Sequence, residues 1–82
     1  MELTEPAGDT VKLSKYVQPD RYTLVDFWAS WCGPCRWAIP KVEQLYKRYD
    51  RNRLAVVSVS LDQEKADWEK AMEKEKMPWP QL

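Results

Sequence analysis

The chain has 82 residues, and its 13 lysine and arginine side chains balance 13 aspartate and glutamate side chains, so the formal net charge is zero. A neutral chain lacks the basic surface that attracts nucleic acid or anionic lipid, which excludes both as partners held through bulk charge. This length supports one small hydrophobic core, so residues 1–82 are treated as a single domain.

Neither a membrane span nor a secretory signal is predicted. No stretch approaches the roughly 20 continuous apolar residues of a transmembrane helix, so no membrane insertion is expected. Residues 1–11 lack the basic-then-apolar layout of a signal peptide. Either the protein stays inside the cell or an export signal is missing from this sequence.

Residues 1–22 are predicted to form an N-terminal arm. Most of the segment is polar, and Pro6 and Gly8 interrupt it early. Apolar and polar residues alternate only briefly, at residues 11–13. The pattern indicates one short strand and a turn ahead of the main fold.

Residues 23–61 are predicted to form a βαβ unit. Residues 23–28 are apolar at nearly every position, which is typical of a central strand buried on both faces of a parallel or mixed sheet. Residues 54–61 are rich in β-branched side chains and form the second strand. The segment between them, 29–53, is long enough for the crossover helix that a parallel pair requires.

The crossover helix is predicted to begin at Pro34, whose missing N–H is not needed in a first turn. Pro40 lies inside the helix and predicts a bend near residues 36–39. Apolar residues recur along the helix at helical spacing and are expected to face the sheet. They are Ala38, Val42, Leu45 and Tyr49.

Residues 62–82 are predicted to hold a second helix and a terminal extended segment. Asp62 is placed to cap the helix, and Trp68, Ala71 and Met72 lie on its apolar face. Pro78 ends the helix and begins the extended segment. The predicted order is therefore an arm followed by βαβα.

The two cysteines are the main candidates for chemistry, because histidine is absent. Without it the chain has no Cys–His or Ser–His–Asp catalysis. A zinc site takes four ligands, and Cys32 and Cys35 supply half of them, so neither a metal nor an organic cofactor is predicted. A disulfide across so short a loop constrains the unfolded chain little, which favours a reversible redox-active pair over a structural bridge.

The Cys-X-X-Cys segment lies where a helix follows a strand. The helix N-terminus stabilises the thiolate of Cys32 and lowers its pKa below about 8.5, so Cys32 is the predicted nucleophile. Cys35, one turn into the helix and buried, is predicted to resolve the mixed disulfide. Gly33 permits close backbone approach, and Pro34 restricts the reduced pair.

Asp26 and Trp31 complete the predicted site. Asp26 is the one ionisable residue in its apolar strand, and burial is expected to raise its pKa and let it exchange a proton with Cys35. The alternative is an Asp26 at a strand end in water. Trp31, beside Cys32, is predicted to contact a partner peptide together with Gly33 and Pro34, and Trp37 is a weaker candidate.

Residues 25–36, Val-Asp-Phe-Trp-Ala-Ser-Trp-Cys-Gly-Pro-Cys-Arg, followed by Ile39 and Pro40, resemble the active-site segment of the thioredoxin superfamily. Residues 13–16, residues 57–62 and the spacing from Trp68 to the Pro78-Trp79 pair are similar to the TlpA/ResA-like branch. That branch consists of bacterial thiol-disulfide oxidoreductases and shares features with tryparedoxins.

The resemblance implies a thioredoxin fold and a thiol-disulfide oxidoreductase that reduces protein disulfides through a mixed disulfide. It implies Cys32 as the attacking thiol, Cys35 as the resolving thiol and Asp26 as the proton acceptor. The implied partners are protein disulfides and a thiol-disulfide electron donor, in cell redox homeostasis and electron transport. The implied location is the bacterial periplasm or cell envelope, with the cytoplasm as the alternative, because a redox Cys pair fits both.

The sequence departs from the family at two places. Ala38 stands where the family often has Glu. The family fold also continues after the second helix with a cis-proline strand, a hairpin partner and a closing helix, and we expect this C-terminal ββα portion to be missing here. Pro78 and Pro80 directly follow the second helix, and we do not expect Pro80 to replace the cis-proline.

Without the hairpin, the strand at residues 23–28 is expected to keep one unpaired edge, through which a homodimer can form. This leaves a second functional interpretation: a non-catalytic truncated fragment or self-associating interaction module that keeps the Cys pair but lacks a substrate groove. A third is a dimer in which two Cys pairs share a zinc ion.

Overall fold

The computed structural model describes residues 2–82, and it confirms the predicted βαβα order behind an N-terminal arm. The Cα radius of gyration is 12.5 Å. The elements, in chain order, are β1 (Glu2–Thr4), β2 (Thr10–Lys12), a turn of 3-10 helix (Leu13–Tyr16), β3 (Tyr22–Trp28), α1 (Gly33–Arg48), β4 (Leu54–Ser60) and α2 (Lys65–Glu75). Neither α1 nor α2 is long and apolar enough to cross a membrane.

The N-terminal arm is a small hairpin that packs on the sheet. β1 and β2 pair antiparallel, with Leu3 opposite Val11. Gly8 has a φ of 103° in the connecting turn, a left-handed conformation that favours glycine. The Tyr16 hydroxyl donates to the Glu5 carboxylate at 2.9 Å and ties the 3-10 turn to the hairpin. The predicted short strand is thus confirmed, with β1 as a partner that was not predicted.

β3 and β4 form the predicted parallel pair. Their register runs from Tyr22 opposite Leu54 to Trp28 opposite Ser60. Successive β4 side chains pack in two different core clusters, because successive side chains of a strand point to opposite faces. Val56 belongs to a cluster with side chains of α1 and α2, and Val57 belongs to a cluster with side chains of the arm.

The prediction that residues 23–28 form the central strand is wrong within the described chain, because β4 lies in the middle. Residues 80–82 run parallel along the other edge of β4. Ser58 donates its N–H to the Pro80 carbonyl at 3.0 Å and accepts the Leu82 N–H at 2.8 Å. β3 pairs with β4 alone among residues 2–82, so the predicted unpaired edge is confirmed.

α1 packs through a face that shares Val42 with the predicted one and otherwise differs from it. The side chains in contact with the core are Cys35, Ile39, Val42 and Tyr46. Leu45 and Tyr49, which were predicted to face the sheet, are 42% and 39% exposed. The Tyr46 ring lies 5.3 Å from the ring of Trp79, and this contact from a distant segment turns the helix toward Tyr46.

α2 begins at Lys65, later than predicted, and Asp62 does not cap it. The N-cap residue is Glu64, which makes no side-chain capping bond. The Asp62 carboxylate bonds instead to Ser30 and Ser60. Trp68 and Ala71 are buried as predicted, at 6% and 3% exposure.

The packed face of α1 can be tested by truncating one residue from each face. Ile39→Ala should lower the free energy of unfolding by about 2–5 kcal/mol, because Ile39 is buried and its loss leaves a cavity. Leu45→Ala should cost no more than about 1 kcal/mol, because its side chain is already partly in water. Urea denaturation measures both. Equal losses, or a larger loss for Leu45→Ala, would contradict the observed face.

Candidate functional site

Cys32 and Cys35 form a disulfide at the start of α1, with Sγ atoms 2.06 Å apart. Cys32 is the N-cap residue, as its predicted place at the helix N-terminus requires. Its Sγ accepts the N–H of Cys35 at 3.3 Å, and its carbonyl accepts the N–H of Arg36 at 3.1 Å. The first turn therefore directs unpaired N–H groups and the positive end of the helix dipole toward this sulfur.

An exposed apolar rim lies next to the disulfide. Trp31 is 71% exposed, and Pro34 is also exposed. A Cβ placed on Gly33 would meet no other heavy atom within 4 Å, so the space beside this residue is open. These three residues have the access that a substrate contact needs, and the contact itself stays a prediction. Trp37, the weaker candidate, is 78% exposed.

Asp26 lies in the middle of β3 and is half-buried, not at a strand end in water. Burial raises the pKa of Asp26 above 3.8, and a hydrogen bond from the Ser58 hydroxyl opposes this rise. Asp26 lies between Leu24 and Trp28 on one face of β3. That face packs in the same cluster as Cys35, so the carboxyl and the second cysteine are on the same side of the sheet.

Ser58 and Trp79 are site residues that the sequence reasoning missed. Ser58 is fully buried, and its hydroxyl lies 3.0 Å from Asp26 Oδ2. The indole N–H of Trp79 donates to the same hydroxyl at 2.7 Å. The sequence contains a feature that points to Ser58. A serine in a strand of β-branched residues, opposite a buried acid, can supply the hydrogen-bond donor that the acid needs.

Asp62 holds the loop that leads into the disulfide. Its carboxylate accepts the N–H of Ser30 at 3.0 Å and the Ser30 hydroxyl as well. It also accepts the Ser60 hydroxyl at 2.6 Å. Burial by itself raises the pKa of Asp62, but the bonds from Ser30 and Ser60 and the charge of Arg36 outweigh it and hold the pKa below 3.8.

Arg36 extends this polar network to the other side of the disulfide. Its guanidinium donates to the Ser30 carbonyl at 3.1 Å and lies 3.7 Å from the Glu75 carboxylate. The backbone is therefore tied just before Cys32 and just after Cys35. Among residues 2–82, no group of three or more metal-ligating side chains comes together.

Comparisons with known proteins identify the family of the chain and its fold. The family model described as AhpC/TSA family matches residues 1–82. Thioredoxin 1 of Nostoc sp. is 38% identical over 63 residues, which cover 77% of this chain and 58% of the relative. The thioredoxin-superfamily resemblance is confirmed.

Solved structures give the same fold. The thioredoxin domain of a thiol-disulfide oxidoreductase from Bacteroides vulgatus superposes with a TM-score of 0.86 at 30% identity, covering 100% of this chain and 57% of that one. A structure described as thiol:disulfide interchange protein DsbE from Chlorobium tepidum gives 0.83 at 33% identity, covering 100% of this chain and 56% of that one. The chain thus has a partial thioredoxin-like fold that spans about half the length of these relatives.

The Asp62 network makes a prediction for stability. Asp62→Asn should lower the free energy of unfolding at pH 7 by about 1–3 kcal/mol, because bonds to a charged acceptor are lost. A carboxyl whose pKa is lowered by folding stabilises the fold above its unfolded pKa, and this contribution disappears as pH falls through the folded pKa. The difference between wild type and variant should therefore shrink below about pH 4.

Urea denaturation at pH 7 and pH 3 measures this difference. Asp20→Asn serves as the control, because Asp20 is exposed in a turn. A difference for Asp62→Asn that stays constant across this pH range, or one no larger than that of the control, would contradict the network.

Proposed function

The chain belongs to the AhpC/TSA family, and from this premise we propose that it exchanges a Cys32–Cys35 dithiol with protein disulfides as a thiol-disulfide oxidoreductase. The observation that carries the proposal is the position of Cys32 as the N-cap of α1, bonded to Cys35 beside an exposed rim. A sulfur at this position is favoured as the thiolate, which is the attacking species in thiol-disulfide exchange.

The proposed reaction has two exchange steps. The Cys32 thiolate attacks one sulfur of a substrate disulfide, that disulfide breaks, and the second substrate sulfur leaves as a thiolate that takes up a proton. Cys35 then loses its proton and attacks the Cys32 sulfur. This forms the Cys32–Cys35 disulfide and releases the first substrate sulfur as a thiol. Two electrons have moved to the substrate, and a thiol donor then supplies two more to reduce the Cys32–Cys35 disulfide and is itself oxidised to a disulfide.

Asp26 is proposed as the acceptor of the Cys35 proton. Its place on the face of β3 that packs with Cys35 supports this role, as does a pKa that burial raises above 3.8. A carboxyl in water at its ordinary pKa is a weak proton acceptor at neutral pH. Partial burial therefore makes Asp26 a stronger base than an exposed aspartate.

Trp31, Gly33 and Pro34 are proposed as the substrate contacts. The exposure of Trp31 and Pro34 and the open space beside Gly33 support this, since a protein disulfide must come within bonding distance of the Cys32 sulfur. The neutral chain offers no strong charge to select a substrate. Recognition by local apolar and backbone contacts is the mode that fits this composition.

The partners and location are proposed by analogy with the relatives. The Chlorobium tepidum structure is described as a thiol:disulfide interchange protein, DsbE. We assign this chain protein disulfides as substrates, a thiol-disulfide donor, and the periplasm or cell envelope, with the cytoplasm as the alternative. A role in cell redox homeostasis and electron transport is proposed on the same chemistry.

A second candidate function is a self-associating interaction module. An open cavity of about 840 Å³ between the starts of β3 and β4 and the C-terminal part of α1 favours it. Its apolar lining is contributed by Tyr22, Leu24, Leu45, Tyr49 and Leu54. A second copy placed over this cavity would bury these side chains, and the unpaired edge of β3 offers it backbone groups for pairing.

Reduction of insulin by the 82-residue chain, with dithiothreitol as electron donor, distinguishes the two functions. We expect wild type to accelerate the reaction and Cys32→Ser to return it to the rate of dithiothreitol alone, because the attacking sulfur is gone. Gln44→Ala, an exposed change on α1, is the control and should keep the wild-type rate. A wild-type rate at background, or full activity in Cys32→Ser, would contradict the proposed function.

A further inference from the structure

A buried chain of hydrogen bonds runs from Trp79 through Ser58 to Asp26. We propose that Ser58 and Trp79 are positioning residues that set the proton affinity of Asp26 and so the pH range in which Cys35 can be deprotonated. The second half of this statement rests on the proposed function, in which Asp26 accepts the Cys35 proton. The first half concerns the carboxyl alone and can be tested without activity.

The chain of bonds has one direction. An indole N–H can only donate, so Trp79 fixes the Ser58 oxygen as an acceptor at 2.7 Å. The hydroxyl has one proton to give, and Asp26 Oδ2 lies at 3.0 Å. The competing acceptor is the thioether of Met77, at 3.8 Å, and sulfur accepts weakly. The proton therefore points to the carboxylate.

Burial makes this arrangement rigid and strong. Ser58 is 0% exposed and Trp79 is 3% exposed, so water does not compete for either group. Both backbone groups of Ser58 are bonded to residues 80–82, its N–H to the Pro80 carbonyl and its carbonyl to the Leu82 N–H. Hydrogen bonds in such surroundings are stronger than in water, and a donor behind a hydroxyl strengthens the bond that the hydroxyl gives.

The pKa shift of Asp26 has two causes, burial and the hydrogen bond from Ser58, and no charged side chain contributes to it. α2 contributes Trp68, Ala71 and Met72 to the cluster on this face. β4 and residues 77–82 carry no ionisable side chain, and the ionisable partner from β3 is Tyr22, at its exposed far end. On α1, Arg36 is engaged by Ser30 and Glu75, and Cys35 is held in the disulfide with Cys32. Ser58 is thus the group that opposes the effect of burial on Asp26.

The consequence is that the reaction continues to a lower pH than it would without the Ser58 bond. A bond to the carboxylate favours its ionised form, so Asp26 keeps accepting protons at a lower pH than burial alone would allow. Removing the bond should raise the pKa of Asp26. The pH below which the rate of the reaction falls should then rise together with the pKa of Asp26.

The test follows the side-chain carboxyl of Asp26 by carbon-13 NMR across pH, in the oxidised protein, where the cysteines do not titrate. Ser58→Ala should raise the pKa of Asp26 by about 1, a tenfold gain in proton affinity. Trp79→Phe should raise it by roughly 0.1–0.3, because it only weakens the Ser58 bond. Ser60→Ala, on the same strand but bonded to Asp62, is the matched control and should leave the pKa unchanged.

An Asp26 pKa in Ser58→Ala that equals the control value, or falls below it, would overturn the proposal. Should Ser58→Ala fail to fold, Trp79→Phe decides in its place, and an unchanged Asp26 pKa there overturns the proposal equally. The pH–rate profile of insulin reduction separates this outcome from the proposed function. If Ser58→Ala raises the pKa of Asp26 but the wild-type chain does not reduce insulin, the hydrogen-bond chain is upheld and the proposed oxidoreductase function is contradicted.

Discussion

The parallel register between β3 and β4 is the constraint on which the site depends. Paired residues are 32 positions apart, which places Asp26 opposite Ser58. The same separation continues past the strand ends, where Ser30 bonds to Asp62. One register therefore sets both the surroundings of the carboxyl and the position of the loop before Cys32. A shift of one residue would reverse the faces of all these side chains.

The redox pair depends on how the chain leaves this paired strand. β3 ends at Trp28, a short loop held by Asp62 comes next, and α1 begins directly after Cys32. The sulfur consequently lies at a helix N-terminus on a fixed scaffold, where the helix dipole favours the thiolate. The chemistry needs no bulk charge, which agrees with the neutral composition of the chain.

Local patterns were sufficient to predict the βαβα order, the N-cap position of Cys32 and a half-buried Asp26. Features that depend on distant contacts were not predictable in this way. Residues 80–82 make β4 the central strand, and Trp79 selects the face of α1 that packs. Asp62 has the residue type and the position of a helix N-cap, but Ser30, which is far away in the chain, bonds to its carboxylate instead. The role of Ser58 depends on the register, which local patterns do not determine.

The most direct test of the central claim is to trap the mixed disulfide. In Cys35→Ser the resolving thiol is gone, so incubation of the reduced variant with native, disulfide-bonded insulin should leave an insulin chain covalently bound to Cys32, seen by intact mass and by peptide mapping. We expect this adduct to accumulate, to be released by dithiothreitol and to be absent from Cys32→Ser. A Cys35→Ser protein that stays free of adduct on Cys32 would contradict attack by this sulfur.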